Sequence, residues 1–158
     1  MQPISIKFVK THTDAQLPKQ NHGNLAIGTF GSHVSGTHDS GFDVFCCENT
    51  VVPPNGSAVV PTGIQLAGLE PGYWIRIEAR SGLGFKHGLQ PHSGIIDNQY
   101  RGDLGVKIFN HSDHVYRFQI GDRIAQLVLY KLYDANISWA DQVDETTRGQ
   151  QGIGSSGT

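Results

Sequence analysis

The chain has 158 residues, enough for one domain with a substantial core and cramped for two. Its 12 Lys and Arg against 14 Asp and Glu give a formal charge of -2, which argues against the basic stripe or tail of a nucleic-acid or membrane-surface binder. No run approaches the roughly 18 apolar residues of a membrane span, no signal peptide is evident, and the adjacent Cys46 and Cys47 make no disulfide framework, so a soluble, cytoplasmic or otherwise intracellular protein is expected.

In chain order, residues 18–40 come first as a feature. They are rich in Gly, Ser, Thr and His and read as a long loop insertion. Turn signals follow at Pro53-Pro54-Asn55-Gly56 and Glu70-Pro71-Gly72. Residues 72–80 alternate: Tyr73, Ile75, Ile77 and Ala79 face one way, Trp74, Arg76, Glu78 and Arg80 the other. This predicts a strand with one buried and one charged face. One short helix is expected near residues 82–87. Residues 105–110, 115–120 and 124–133 are again strand-like, separated by Asn110-His111-Ser112-Asp113 and Gly121-Asp122. The 20 glycines, about 13% of the chain against roughly 7% in average proteins, fit many tight turns. Short strands punctuated this way predict an all-β sandwich or jelly-roll-like barrel over residues 1–143, followed by a Gly/Ser-rich tail over 144–158.

Three segments can carry chemistry. Arg80-Ser81-Gly82-Leu83-Gly84 joins a guanidinium, a hydroxyl and glycine-freed backbone at the end of a strand. It is either a phosphate cradle or an ordinary Ser-Gly turn. In residues 94–103, two hydrophobic residues run into Asp97, and a polar turn presents Tyr100. Asp97 can position water or act as a base, and Tyr100 can pack on a sugar or base; alternatively, this is a surface hairpin with an Asp in its turn. The tail from Arg148 carries a charge, closely spaced glycines and two hydroxyls. It is either a segment that closes over a polyphosphate or a frayed terminus. It lacks the Lys and the strand-to-helix setting of a P-loop. The eight histidines are scattered, show no HExxH spacing or Cys/His pairing, and read as solvated loop residues rather than a zinc site.

Taken in order, these segments resemble the five motifs of the trimeric dUTPase family. Asp39-Ser40-Gly41-Phe42-Asp43-Val44 is similar to the first, Arg80-Ser81-Gly82-Leu83-Gly84 with Lys86-His87-Gly88 to the second, and residues 94–102 to the third. Gly121-Asp122-Arg123-Ile124-Ala125-Gln126-Leu127 is similar to the fourth and residues 148–157 to the fifth. The resemblance implies a distorted jelly-roll β-barrel forming a homotrimer, with active sites between subunits and a swapped C-terminal tail closing each. It implies Mg²⁺-assisted hydrolysis of dUTP to dUMP and pyrophosphate, which lowers dUTP and supplies dUMP for thymidylate synthesis.

By that resemblance Asp97 holds the 3′-hydroxyl and orients the attacking water, and Tyr100 packs under the sugar, leaving no room for a 2′-hydroxyl. Backbone of the hairpin from Gly94 through Ile95 and Ile96 to Tyr100, and of Gly105, reads uracil and excludes a 5-methyl group, with Ser93 a further substrate contact. Arg80, Ser81, Gly82 and Gln126 contact phosphates and water, and Arg148, Gly154, Ser155 and Ser156 clamp the γ end. No protein side chain ligates the metal directly, Asp43 serving the site and the metal's water shell. Ile153 stands where the family has a Phe that stacks on uracil, which forfeits on the order of 1 kcal/mol of aromatic contact. Residues 29–39 lengthen the approach to the first motif, and His92 and Ser93 replace smaller residues or Asn near the base. The related dCTP deaminases carry a catalytic Glu where this chain has Lys107. A nucleotide-binding relative with a protein-binding role is the non-enzyme alternative.

Overall fold

The computed structural model describes residues 3–20, 39–147 and 149. The described residues form ten strands and one short helix: β1 (Ile6–Lys10), β2 (Gly41–Phe45), β3 (Thr50–Val52), β4 (Ser57–Leu69), β5 (Tyr73–Glu78), α1 (Ser81–His87), β6 (Leu89–Pro91), β7 (Ile95–Ile96), β8 (Asp103–Asn110), β9 (Tyr116–Phe118) and β10 (Arg123–Lys131). Two four-stranded antiparallel sheets, ordered β1-β4-β8-β6 and β2-β10-β5-β7, are accompanied by the β3-β9 ribbon. The expected all-β architecture is present.

Alternation explains which faces meet. In β8, Leu104, Val106 and Ile108 are buried while Asp103, Gly105 and Lys107 are exposed; in β5, Ile75 and Ile77 are buried. These side chains join Val44, Val60, Leu66, Ile124 and Leu127 in a core between the sheets, whose burial is the main driving force for the fold. Asn110, the one buried side-chain amide among the described residues, is fully used. Its Nδ2 donates to the carbonyls of Val52 (3.3 Å) and His114 (2.7 Å), and its Oδ1 accepts from the Ser112 amide (3.0 Å) and hydroxyl (2.7 Å). This fixes the turn expected at residues 110–113.

β4 has no counterpart among the strands expected from sequence. Pro61, Gly63 and Gly68 interrupt it and resemble turn signals, yet it is the longest strand. It survives because its register with β8 shifts between Pro61 and Gln65, a bulge that accommodates both residue types. The insertion is anchored at its start: Lys19 and Asp43 exchange backbone hydrogen bonds of 3.0 and 2.8 Å. Residues 21–38 of it lie outside the described residues.

The last strand ends at Lys131, and residues 131–147 are exposed with no further helix or strand. Among them Ile137 and Trp139 are 95% and 102% exposed, apolar side chains that nothing among the described residues covers. No helix of the described residues is long and apolar enough to cross a membrane.

Both cysteines are free and buried. The Cys46 thiol donates to the Gln119 carbonyl (2.6 Å), and burial pushes its pKa up; burial and then the Glu48 charge do the same to Cys47. His12, Cys47 and Glu48 offer ligand atoms that lie within 4.8 Å of one another. Linear spacing could not reveal the cluster, because the loop after β1 and the end of β2 meet only in the folded chain.

Candidate active site

β5 leads out of the core into a polar cleft. After Glu78 the chain stays extended through Arg80 (φ -92°, ψ 125°) and then turns into α1, anchored by buried Leu83. The amides of Leu83 and Gly84 both donate to the Arg80 carbonyl (3.1 and 3.2 Å). Ser81 and Gly82 are thereby held at the cleft, exposed, beside Arg80.

Opposite stands Asp43 on β2, with only 6% of its surface exposed. The Nε of Arg80 donates to its Oδ1 (2.8 Å), and the Nε of Arg123 lies 3.4 Å from its Oδ2. Buried Asp43 therefore sets the position of two guanidiniums whose remaining N–H groups are available to a ligand. Gln126 pairs with Asp43 across the β2-β10 ladder and donates from Nε2 to the Ala79 carbonyl (2.7 Å). Its amide lies over Gly41, where a Cβ would come within 2.1 Å of the Gln126 Oε1. Asp39, Asp43, Arg80, Ser81, Gly82, Arg123 and Gln126 line a cleft of about 510 Å³.

Arg123 is the residue that sequence reasoning quoted within a motif but assigned no role. In an unbroken strand Arg123 and Gln126, three apart, face opposite sides. Here the ladder shifts between Arg123 and Ala125, so Ile124 and Ala125 are both buried and Arg123 and Gln126 both line the cleft.

The hairpin is built at the other end of β5. Its strand β7 pairs Ile96 with Ile75 and Ile95 with Arg76, and the Gly94 carbonyl accepts from the Ile77 amide (2.9 Å). Asn98 then pins the turn, donating from Nδ2 to the carbonyls of Leu69 (3.3 Å), Glu70 (3.0 Å) and Tyr73 (3.1 Å). The Tyr100 hydroxyl donates to the Asp103 carbonyl (3.0 Å), and its ring folds over Gly102, where a Cβ would lie 2.4 Å from that hydroxyl oxygen. Ser93 accepts from the Arg76 Nε (2.9 Å), and Gly105 faces Pro61 across the β4-β8 ladder. Asp97 is exposed and lines a second depression with Tyr73, Trp74, Ile95, Asn98, Gln99 and Leu132.

The two regions do not meet within one chain. Asp97 follows the Ile96–Ile75 pair and so lies level with Trp74, whereas Arg80 is six residues further along the chain, roughly 20 Å at the rise of an extended strand.

Residues 32–157 match the family model described as dUTPase. The chain belongs to the dUTPase family. It is 42% identical over 131 residues to the deoxyuridine 5′-triphosphate nucleotidohydrolase of Arabidopsis thaliana, covering 83% of this chain and 76% of that protein. To the Helicobacter pylori J99 protein of the same name it is 39% identical over 156 residues, covering 98% and 97%. The dUTPase of Staphylococcus bacteriophage 80alpha, solved with dUpNHpp, superposes with a TM-score of 0.80 at 26% identity, covering 98% and 99%. Of the dUTPase-like segments, the first, second and fourth converge on the cleft, and the third forms the hairpin. Of the fifth, only Gly149 is among the described residues, and Arg148, Ile153, Gly154, Ser155 and Ser156 lie outside them.

Proposed function

We propose that this chain hydrolyses dUTP to dUMP and pyrophosphate in active sites assembled between the subunits of a homotrimer. The separation of Asp97 from Arg80, Ser81 and Gln126 along β5 carries this reading. A carboxylate that orients the attacking water works from hydrogen-bond reach, roughly 3 Å. The α-phosphate is one ester bond from the sugar, so the hairpin and the phosphate cleft must come from different copies. The uncovered side chains of residues 137–143 supply apolar surface for such an assembly.

In this arrangement the triphosphate lies in the cleft. Arg80 offers N–H groups fixed by Asp43, Ser81 a hydroxyl, Gly82 its backbone N–H, and Gln126 its amide, with Arg123 as a further cation. The neighbouring hairpin contributes backbone of residues 93–96 toward uracil, the Tyr100 ring beneath the deoxyribose, and the Asp97 carboxylate to the 3′-hydroxyl and the water. Asp97 accepts the water's proton as oxygen attacks the α-phosphorus and pyrophosphate leaves. Residues 148–156 close over the γ end.

Mg²⁺ fits this donor set through the substrate. Asp43, the buried carboxylate of the cleft, is engaged by Arg80 and Arg123, so phosphate oxygens and waters would hold the ion, with Asp43 and Asp39 near its water shell. When bound, the ion neutralises phosphate charge and polarises the phosphoryl group. A deaminase reading is disfavoured at Lys107, whose ammonium sits 5.2 Å over the Phe109 ring where deaminases place a proton-transferring Glu.

Pyrophosphate release from dUTP, dCTP, dTTP and UTP with and without Mg²⁺ tests the activity. dUTP should be preferred, and conversion of dCTP to a uracil nucleotide would reassign the enzyme. Mixing Asp97→Asn with Arg80→Ala chains tests the shared site. After subunit exchange at equal ratio, about a quarter of the sites draw an intact hairpin and an intact cleft from two chains, so activity should return to that extent. Verified exchange without recovery would place both halves in one chain.

A further inference from the structure

We infer that His12, Cys47 and Glu48 form a zinc site, separate from the phosphate cleft, that clips the loop after β1 to the end of β2. The cluster is built on the β4 bulge. The Thr11 amide donates to the Gly63 carbonyl (2.8 Å) and the Cys47 amide to the Pro61 carbonyl (3.0 Å), so both segments dock on the same short stretch. Gly63 adopts φ +66°, and a Cβ there would lie 2.6 Å from the His12 Cβ and 3.1 Å from the Cys47 Sγ. Only glycine lets the two side chains close over that point.

The donor set defines the ion. The three ligand atoms lie within 4.8 Å of one another, with the His12 Nε2 3.8 Å from a Glu48 carboxylate oxygen. Zinc bonds of about 2.0–2.3 Å in a tetrahedron place ligand atoms roughly 3.5 Å apart, so closure needs about 1 Å, within the side-chain freedom of the partly exposed His12 and the exposed Glu48. Thiolate, imidazole and carboxylate together suit Zn²⁺ and disfavour Mg²⁺, which takes oxygen ligands. Water completes the fourth position.

Binding through the His12 Nε2 puts the ring proton on Nδ1, which now accepts from the Asp14 amide (3.1 Å). The ring then turns Nδ1 toward the Asp14 carboxylate, 3.9 Å away, as the acceptor that holds the metallated ring. Cys47 releases its thiol proton to solvent as the sulfur–zinc bond forms. Because Cys47 follows Asp43 by four residues, the clip steadies the strand that carries the cleft's buried carboxylate.

The test uses the full chain, dialysed against a chelator, titrated with Co²⁺ and then Zn²⁺. One Co²⁺ per chain should bind, with a thiolate-to-cobalt absorption band that Zn²⁺ abolishes, and Zn²⁺ should raise the melting temperature by mass action. Cys47→Ser should lose the band, and His12→Gln and Glu48→Gln should weaken Zn²⁺ binding at least tenfold. Glu48 is exposed, so Glu48→Gln decides the matter even where Cys47→Ser fails to fold. Mg²⁺-dependent dUTP turnover should stay near the wild-type level in Glu48→Gln, which separates this site from the phosphate cleft. Absence of stoichiometric binding, a band that persists in Cys47→Ser, or undiminished affinity in Glu48→Gln overturns the assignment.

Discussion

The polar cleft and the hairpin stand at opposite ends of one strand and are organised by opposite means. In the cleft the central group is a buried carboxylate, Asp43, locked between two guanidiniums, and the ligand-facing groups are the outer N–H bonds of those arginines. In the hairpin the central group, Asp97, is exposed, and rigidity comes from Asn98 beneath it and from Tyr100 folded on Gly102. The cleft therefore couples ligand binding to fold stability, whereas the hairpin presents its carboxylate without staking stability on it. In the proposed assembly, where Asp97 meets a partner subunit, its charge is best kept solvated until then, because burying it unpaired would cost several kcal/mol.

Substitutions at the two centres should separate these designs. The largest effect is expected at Asp97→Asn, which keeps the shape but removes the charge that orients and activates water: kcat should fall about 10²-fold or more. Its urea midpoint and its affinity for dUpNHpp should stay close to wild type. Normal turnover would take the catalytic role away from Asp97.

Asp43→Asn should behave differently, lowering both stability and activity. Losing the charge that holds one hydrogen-bonded guanidinium, Arg80, and one ion-paired guanidinium, Arg123, costs about 1–2 kcal/mol, moderated because both arginines are partly exposed. Arg80 loses its anchor, so kcat/KM should drop roughly tenfold. An unchanged urea midpoint with lost activity would mean that Asp43 acts on the substrate rather than by holding the arginines.

The smallest effect is expected at Gly102→Ala. The new methyl group displaces the Tyr100 ring, so the kcat/KM ratio of UTP to dUTP should rise by up to about tenfold. A ratio that does not move would separate Tyr100 from sugar discrimination.

Much of this was legible before folding was considered. The alternation in residues 72–80 gave β5 and its buried Ile75 and Ile77, and the Arg80–Gly84 run marked the turn into α1. Reading β4 failed because Pro61 and Gly63 signal turns locally, and only pairing with β8 shows that they sit in a bulge. The role of Arg123 was hidden for a related reason. Strand periodicity puts it opposite Gln126, and the shift between Arg123 and Ala125 overrides that rule.

The all-β class, the order of the chemical segments and the candidacy of Asp97, Arg80 and Ser81 are local properties of periodicity and side-chain chemistry, and Gln126 joins them through the likeness of its motif to the dUTPase family. Tertiary structure alone decided which of those residues share a site. Strand pairing placed Asp43 under Arg80 and Arg123, gathered His12 with Cys47 and Glu48 over Gly63, and held Asp97 about 20 Å from the cleft. Such distances are set by register and sheet order, which arise from long-range pairing that no local stretch of sequence encodes.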